Sequence, residues 1–140
     1  MEAGELNLDG LKIMLIEDEQ LTVDLLKMVL RKLGAEVTIV AKSEVEARST
    51  IESKEVDVAI VDVYLGFNKD GIAIAKDFYE NYNIPCISLT TSRDLSVVNS
   101  LIDAGIYSIV QKPFLELDLY IAIKIAINKH RQLLKSKSQS

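Results

Sequence analysis

Four short apolar runs in this sequence end in residues that can handle a phosphoryl group or a divalent cation. Lys12 to Ile16 runs into Glu17-Asp18, Asp57 to Val61 into Asp62, Cys86 to Leu89 into Thr90-Thr91, and Tyr107 to Gln111 into Lys112-Pro113. A carboxylate can attack phosphorus and form an acyl phosphate, but it must approach a donor of its own charge. Further carboxylates supply hard oxygen ligands for a cation, an ammonium supplies a point charge, and a hydroxyl donates to a phosphoryl oxygen. Glu17, Asp18, Asp62, Thr90 and Lys112 are of these types. They act together only if the fold gathers the ends of all four runs.

The segments between the runs read as helices and one more strand. Leu21, Leu25, Val29 and Leu33 recur every fourth residue, with Leu26 and Leu30 beside them and Gly34 as a stop signal. Val37 to Val40 is a short β-branched run, and Ser43 with Glu46 three residues on has capping-box spacing for a second helix through about Ser53. Gly71 to Tyr82 carries Ile72, Ala75, Phe78 and Tyr79 at helical spacing and stops at Asn83-Ile84-Pro85. Ser92 to Ala104 reads as a fourth helix placed by Leu95, Val98, Leu101 and Ile102, closed by Gly105. Beyond Pro113 the isoleucines at 121, 123, 125 and 127 alternate as a strand would, yet length favours a helix of about Leu117 to Leu134.

Regular alternation of strand and helix with short connections implies a parallel sheet covered on both faces. The expected class is α/β, a flavodoxin-like (βα)5 three-layer sandwich whose five-stranded parallel sheet has the order 2-1-3-4-5. Ligands in such sheets bind outside the carboxyl ends of the strands, so the four endings are expected to meet.

A chain of 140 residues suits one domain with a full core. Residues 1–10 read as an N-terminal extension, 11–134 as the domain and 135–140 as a flexible tail rich in Ser, Gln and Lys. A net charge of −5 disfavours direct nucleic-acid binding, which needs clustered Lys and Arg. No apolar stretch is long enough to span a bilayer, and the first residues lack the basic and apolar parts of a secretory signal. With one cysteine, Cys86, inside an expected strand, a reducing, cytoplasmic setting is expected. The single histidine, His130, is expected at the surface.

Glu17-Asp18, Asp62 within Ile60-Val61-Asp62-Val63-Tyr64-Leu65, Asp70-Gly71, Leu89-Thr90 and Gln111-Lys112-Pro113-Phe114 occur in that order at strand ends. Over Leu11 to Arg131 the chain resembles the receiver domain of two-component response regulators. The resemblance implies that Asp62 is a phosphoacceptor served by Thr90 and Lys112. It also implies Mg²⁺, with Mn²⁺ as a substitute, held by Glu17, Asp18, Asp62 and the backbone carbonyl of Tyr64. It implies a cis Lys112-Pro113 bond and a phosphoryl donor that is a histidine kinase or histidine phosphotransfer protein. Phosphorylation would switch the surface around the fourth helix, fifth strand and fifth helix. Such a domain assists its own phosphorylation and dephosphorylation and is not otherwise an enzyme. It works as a stand-alone regulator or as part of a larger protein such as a hybrid kinase.

The chain departs from the family pattern in two places. The loop from Asp62 to Gly71 is one residue longer than the commonest spacing, with Gly66 where proline is frequent. Ile109 stands where an aromatic residue often rotates inward, and Tyr107 lies two residues earlier.

Other readings stay open at the level of sequence. Glu17 and Asp18 could simply open a helix, Asp62 could cap a loop, Thr90 could be a helix N-cap, and Lys112 could be an ordinary surface lysine. Haloacid-dehalogenase-like phosphatases also use a strand-end aspartate, Mg²⁺ and a lysine, but need a second aspartate where Tyr64 stands. A degenerate receiver used only for binding would lack an acceptor or acidic residue. In the last helix Leu119, Ile123, Ala126 and Ile127 suit the core, which turns Ile121 and Ile125 outward toward a partner or a second copy in a homodimer.

Overall fold

The computed structural model describes residues 6–53, 55–64, 70–91 and 94–138. Five strands, β1 (Lys12–Ile16), β2 (Glu36–Ala41), β3 (Val58–Asp62), β4 (Cys86–Thr90) and β5 (Ser108–Gln111), alternate with five helices. These are α1 (Gln20–Lys32), α2 (Glu44–Thr50, continued by a 3₁₀ turn at Ile51–Ser53), α3 (Asp70–Tyr82), α4 (Leu95–Asp103) and α5 (Glu116–Ser138). All four strand pairs are parallel and the order is β2-β1-β3-β4-β5, as expected from the sequence.

The three central strands are buried on both faces, which is why they are continuous apolar runs in the sequence. Ile13, Leu15, Val58, Ile60, Ile87 and Leu89 face α1 and α5, whereas Met14, Ile16, Ala59, Val61 and Cys86 face α2 and α3. A third, smaller cluster joins Val63 to Val97 and Leu101 of α4, with Ile109 and Tyr64 packed against it. Ser43 caps α2, its Oγ accepting from the Glu46 amide at 3.1 Å, while Glu46 Oε2 reaches back to the Lys42 amide at 3.3 Å.

Several sequence-level expectations need correction. The buried stripe of α1 is Val23, Leu26, Leu30 and Leu33, and Leu21 and Leu25 are exposed, at 76% and 43%. In α4 the buried residues are Val97 and Leu101, with Leu95 and Ile102 outside. Both errors have one cause: apolar spacing admits more than one stripe, and packing selects it. The helix expected from Ser92 starts at Leu95, capped by Asp94, whose Oδ1 accepts from the Ser96 amide at 2.8 Å. Ser92 lies outside the described residues, as does Gly66 with its loop.

The expected tail from Lys135 is helical as far as Ser138, and Lys135 and Lys137 in the last turn complement the free carbonyls there. The expected extension at residues 1–10 is tied down from Leu6 onward: Leu6 and Leu8 pack on the core under α1, and the Leu8 amide donates to Leu33 O at 2.8 Å. His130 is not at the surface. It continues the inner stripe of α5 through Leu119, Ile123 and Ala126, is only 8% exposed, and its Nδ1 lies 3.2 Å from the Tyr107 hydroxyl.

Leu8 is 1% exposed, so Leu8→Ala should cost about 2–4 kcal/mol of unfolding free energy. Urea denaturation of both proteins checks this; a loss near zero would show that residues 6–11 are not part of the core.

Candidate functional site

Strand register assembles the site. Ile16 pairs with Val61, so the next residues, Glu17 and Asp62, lie side by side where β1 and β3 end. Asp62 pairs with Leu89 and Thr90 with Gln111, which sets Thr90 and Lys112 at the same edge. The Lys112 amide donates to Thr90 O at 2.8 Å and the Glu17 amide to Ala41 O at 2.9 Å, so backbone bonds hold both loops.

Side chains then converge. Lys112 Nζ lies 3.2 Å and 3.4 Å from the two Glu17 oxygens and 3.6 Å from Asp62 Oδ2. Asp62 Oδ1 accepts from the Tyr64 amide at 3.2 Å, which fixes the carboxylate plane. Glu17, Asp62 and Thr90 are buried, and Asp18 is exposed at the mouth. The Lys112-Pro113 bond is cis. Tyr64 is half-buried and packs on the cluster formed by Val63, Val97 and Leu101.

Gly71 lies close against the Asp62 backbone, as its residue type permits. A Cβ there would lie 2.0 Å from Asp62 O, and the Gly71 amide donates to Val63 O at 3.2 Å. Any side chain would force α3 away from the end of β3.

The electrostatics are unbalanced. Burial and then the hydrogen bond and charge of Asp62 push the Glu17 carboxyl up to about 8, and Lys112 pulls it back only in part. Oxygens from Glu17, Asp18 and Asp62 all lie within 4.8 Å of one another. A set of carboxylates without His or Cys suits Mg²⁺ or Mn²⁺ and not zinc. The donor set therefore fits a hard divalent cation, which would offset the charge that Lys112 leaves.

The structural alternatives for these residues fare differently here. The first turn of α1 holds no acidic residue and Glu17 points into the site, so it does not serve that helix dipole. Asp94, not Thr90, caps α4. Lys112 is ion-paired and its side chain is 19% exposed.

Two features escaped the sequence reading. The close approach at Gly71 shows itself in sequence only as an unremarkable Asp-Gly pair. Beside Lys112 lies an apolar cavity of about 350 Å³ lined by Leu21, Leu25, Thr91, Pro113 and Phe114. The signal for it was present, since Leu21 and Leu25 share one side of α1 that the core does not use.

Residues 13–124 match the family model described as the response regulator receiver domain. The chain is 32% identical over 123 residues to the transcriptional regulatory protein PdtaR of Mycobacterium tuberculosis, covering 87% of this chain and 59% of that protein. It is 36% identical over 93 residues to the heme response regulator HssR of Staphylococcus saprophyticus, covering 66% of this chain and 41% of that protein. It thus spans about half the length of these curated relatives. The signal receiver domain of a modulated diguanylate cyclase from Desulfovibrio desulfuricans superposes with a TM-score of 0.79 at 26% identity, covering 86% of this chain and 96% of that one.

The carboxylate set generates a direct expectation. Mg²⁺ should raise the thermal midpoint of the protein, and Asp18→Asn should shift the concentration required upward by about tenfold or more. Equal Mg²⁺ responses in the two proteins, followed by thermal melts, would remove Asp18 from the cation site.

Proposed function

The chain belongs to the response regulator receiver domain family, and on that premise we propose that it accepts a phosphoryl group on Asp62 within a two-component phosphorelay. The observation that carries this reading is the placement of the Asp62 carboxylate between Glu17, Lys112 and the Tyr64 amide at the end of the central strand. The donor is a phosphohistidine on a histidine kinase or histidine phosphotransfer protein. One Asp62 oxygen attacks phosphorus; the new P–O bond forms as the P–N bond breaks, and the electron pair leaves with the imidazole.

Each neighbour has a role in this account. Lys112 places its charge on the phosphoryl oxygens and Thr90 donates its hydroxyl to one of them. Asp18, Asp62 and Glu17, the last directly or through water, with the Tyr64 carbonyl, would hold the Mg²⁺ or Mn²⁺. That cation would neutralise charge between acceptor and donor and orient the transferring group. The chemistry is confined to Asp62, so the domain turns over no separate substrate.

The exposed apolar residues Leu21, Leu25 and Met28 of α1, next to Pro113 and Phe114, suit an apolar helix face on the donor protein. The response passes through α4. This helix has nine residues, buries only Val97 and Leu101, and binds its own backbone through Ser100 Oγ to Ser96 O at 2.9 Å. It is weakly held, and a pull on Thr90 can displace it against β5 and α5. On α5, Ile121 and Ile125 are 44% and 41% exposed, which supports a homodimer through that face.

Treating wild type and Asp62→Asn with a small phosphodonor and Mg²⁺, then weighing the intact proteins, tests the acceptor. Wild type should gain one phosphoryl group and the variant none; equal uptake would refute the assignment. For the dimer, sedimentation with and without phosphorylation should show self-association in wild type and its loss in Ile125→Glu. A monomer under every condition argues against that surface.

A further inference from the structure

The end of the sheet opposite the acidic site holds a cluster that the phosphoryl chemistry does not use. Tyr107, immediately before β5, packs edge-on against Tyr79 of α3, with ring centres 5.8 Å apart, and against His130 of α5, also at 5.8 Å. Tyr79 packs against Gly105, where a Cβ would come within 2.9 Å of its ring. The Tyr107 amide donates to Cys86 O at 3.2 Å, anchoring the cluster to β4. Tyr107 therefore does not stand in for the aromatic residue missing at position 109: Ile109 faces α4, and Tyr107 faces α5.

We propose that Tyr79, Tyr107 and His130 form a clasp that holds the C-terminal half of α5 against α3 and β5 only while His130 is uncharged, so that acidification loosens this half. The geometry favours the neutral ring. The Tyr107 hydroxyl lies 3.2 Å from His130 Nδ1 and can donate to that nitrogen or accept from it, so this one bond is made by a neutral ring of either tautomer. Nε2 is buried without a hydrogen-bond partner of ordinary geometry, the nearest polar influence being the main chain of Asn83 after α3. A charged ring is a donor at both nitrogens, and while Tyr107 can serve Nδ1, the second proton would leave Nε2–H buried without an acceptor and bury a cation.

Around the ring only the Asn83 main chain favours that cation, and burial outweighs it. From α5 the charged group acting on it is Lys137, which repels it, and Lys129 and Arg131 flank it at the surface. From α3 and the approach to β5 come Tyr79 and Tyr107, and burial, with the charge and hydrogen bond of Tyr79, pushes the Tyr107 hydroxyl up to about 12, so it carries no charge of its own. Among the described residues no carboxylate acts on His130.

Burial accordingly lowers the His130 pKa below its ordinary 6.5. A base whose folded pKa is depressed binds its proton more readily when released, so opening is favoured as pH falls below 6.5 and levels off below the folded value. The surface affected, α5 with β5, is part of the face proposed to respond to phosphorylation. The clasp itself does not depend on that proposal.

Because the chain has one histidine, its imidazole signal can be followed by NMR in the full-length protein without ambiguity. We expect the wild-type ring to titrate below 6.5. Amide exchange at residues 128–138, corrected for intrinsic rates, should quicken by up to about tenfold per unit of pH as acid is added below that point. Tyr107→Phe, which keeps the histidine, should raise its midpoint toward the ordinary value and flatten the acid response. His130→Gln should abolish the response. A wild-type midpoint at or above 6.5 overturns the clasp, as does an acid response that persists in His130→Gln. Should that variant fail to fold, an unchanged midpoint and response in Tyr107→Phe overturn it equally.

Discussion

Parallel pairing of β1 with β3 sets Glu17 against Asp62, and the repulsion between two nearly buried carboxyl groups is what the surrounding structure has to offset. Lys112 reaches both from β5, but it leaves Glu17 shifted up to about 8, so one ammonium does not satisfy the pair. On the proposed function, a divalent cation held by these carboxylates would offset that charge and then the negative charge of a phosphoryl group. The same imbalance explains why the participating side chains sit at strand ends: only paired, buried strands can hold like charges this close against their tendency to separate.

Much of this was legible in the residues, for identifiable reasons. Buried parallel strands leave continuous apolar runs, and each run here stops at a polar residue that the next turn needs, so Glu17, Asp62, Thr90 and Lys112 marked their own positions. Helix faces were less legible. Leu21 and Leu25 fitted an apolar stripe as well as Val23 and Leu26 did, and only packing on the sheet chose between them. His130 was misplaced because it lies near the far end of the last helix, where solvent was expected, whereas its spacing from Ile123 and Ala126 puts it inside. The role of Gly71 could not be read at all, since it depends on where the Asp62 carbonyl lies in space.

The two ends of the sheet differ in what they ask of the chain. At the carboxyl end charges are gathered and kept partly unsatisfied; at the other, Tyr107 and His130 complete an uncharged contact beneath α5. Strand β5 and helix α5 belong to both, since Lys112 follows β5 and Tyr107 precedes it. Beside them α4 buries only two side chains, Val97 and Leu101, and is the more lightly held element.

The central claim is that Asp62 carries the phosphoryl group. An acyl phosphate is reduced by borohydride to an alcohol, which converts the modified aspartate to homoserine and marks it permanently. Phosphorylated protein reduced in this way and sequenced by mass spectrometry should show homoserine at position 62 alone. Homoserine at another acidic residue, or none in protein shown by intact mass to be phosphorylated, would contradict the account.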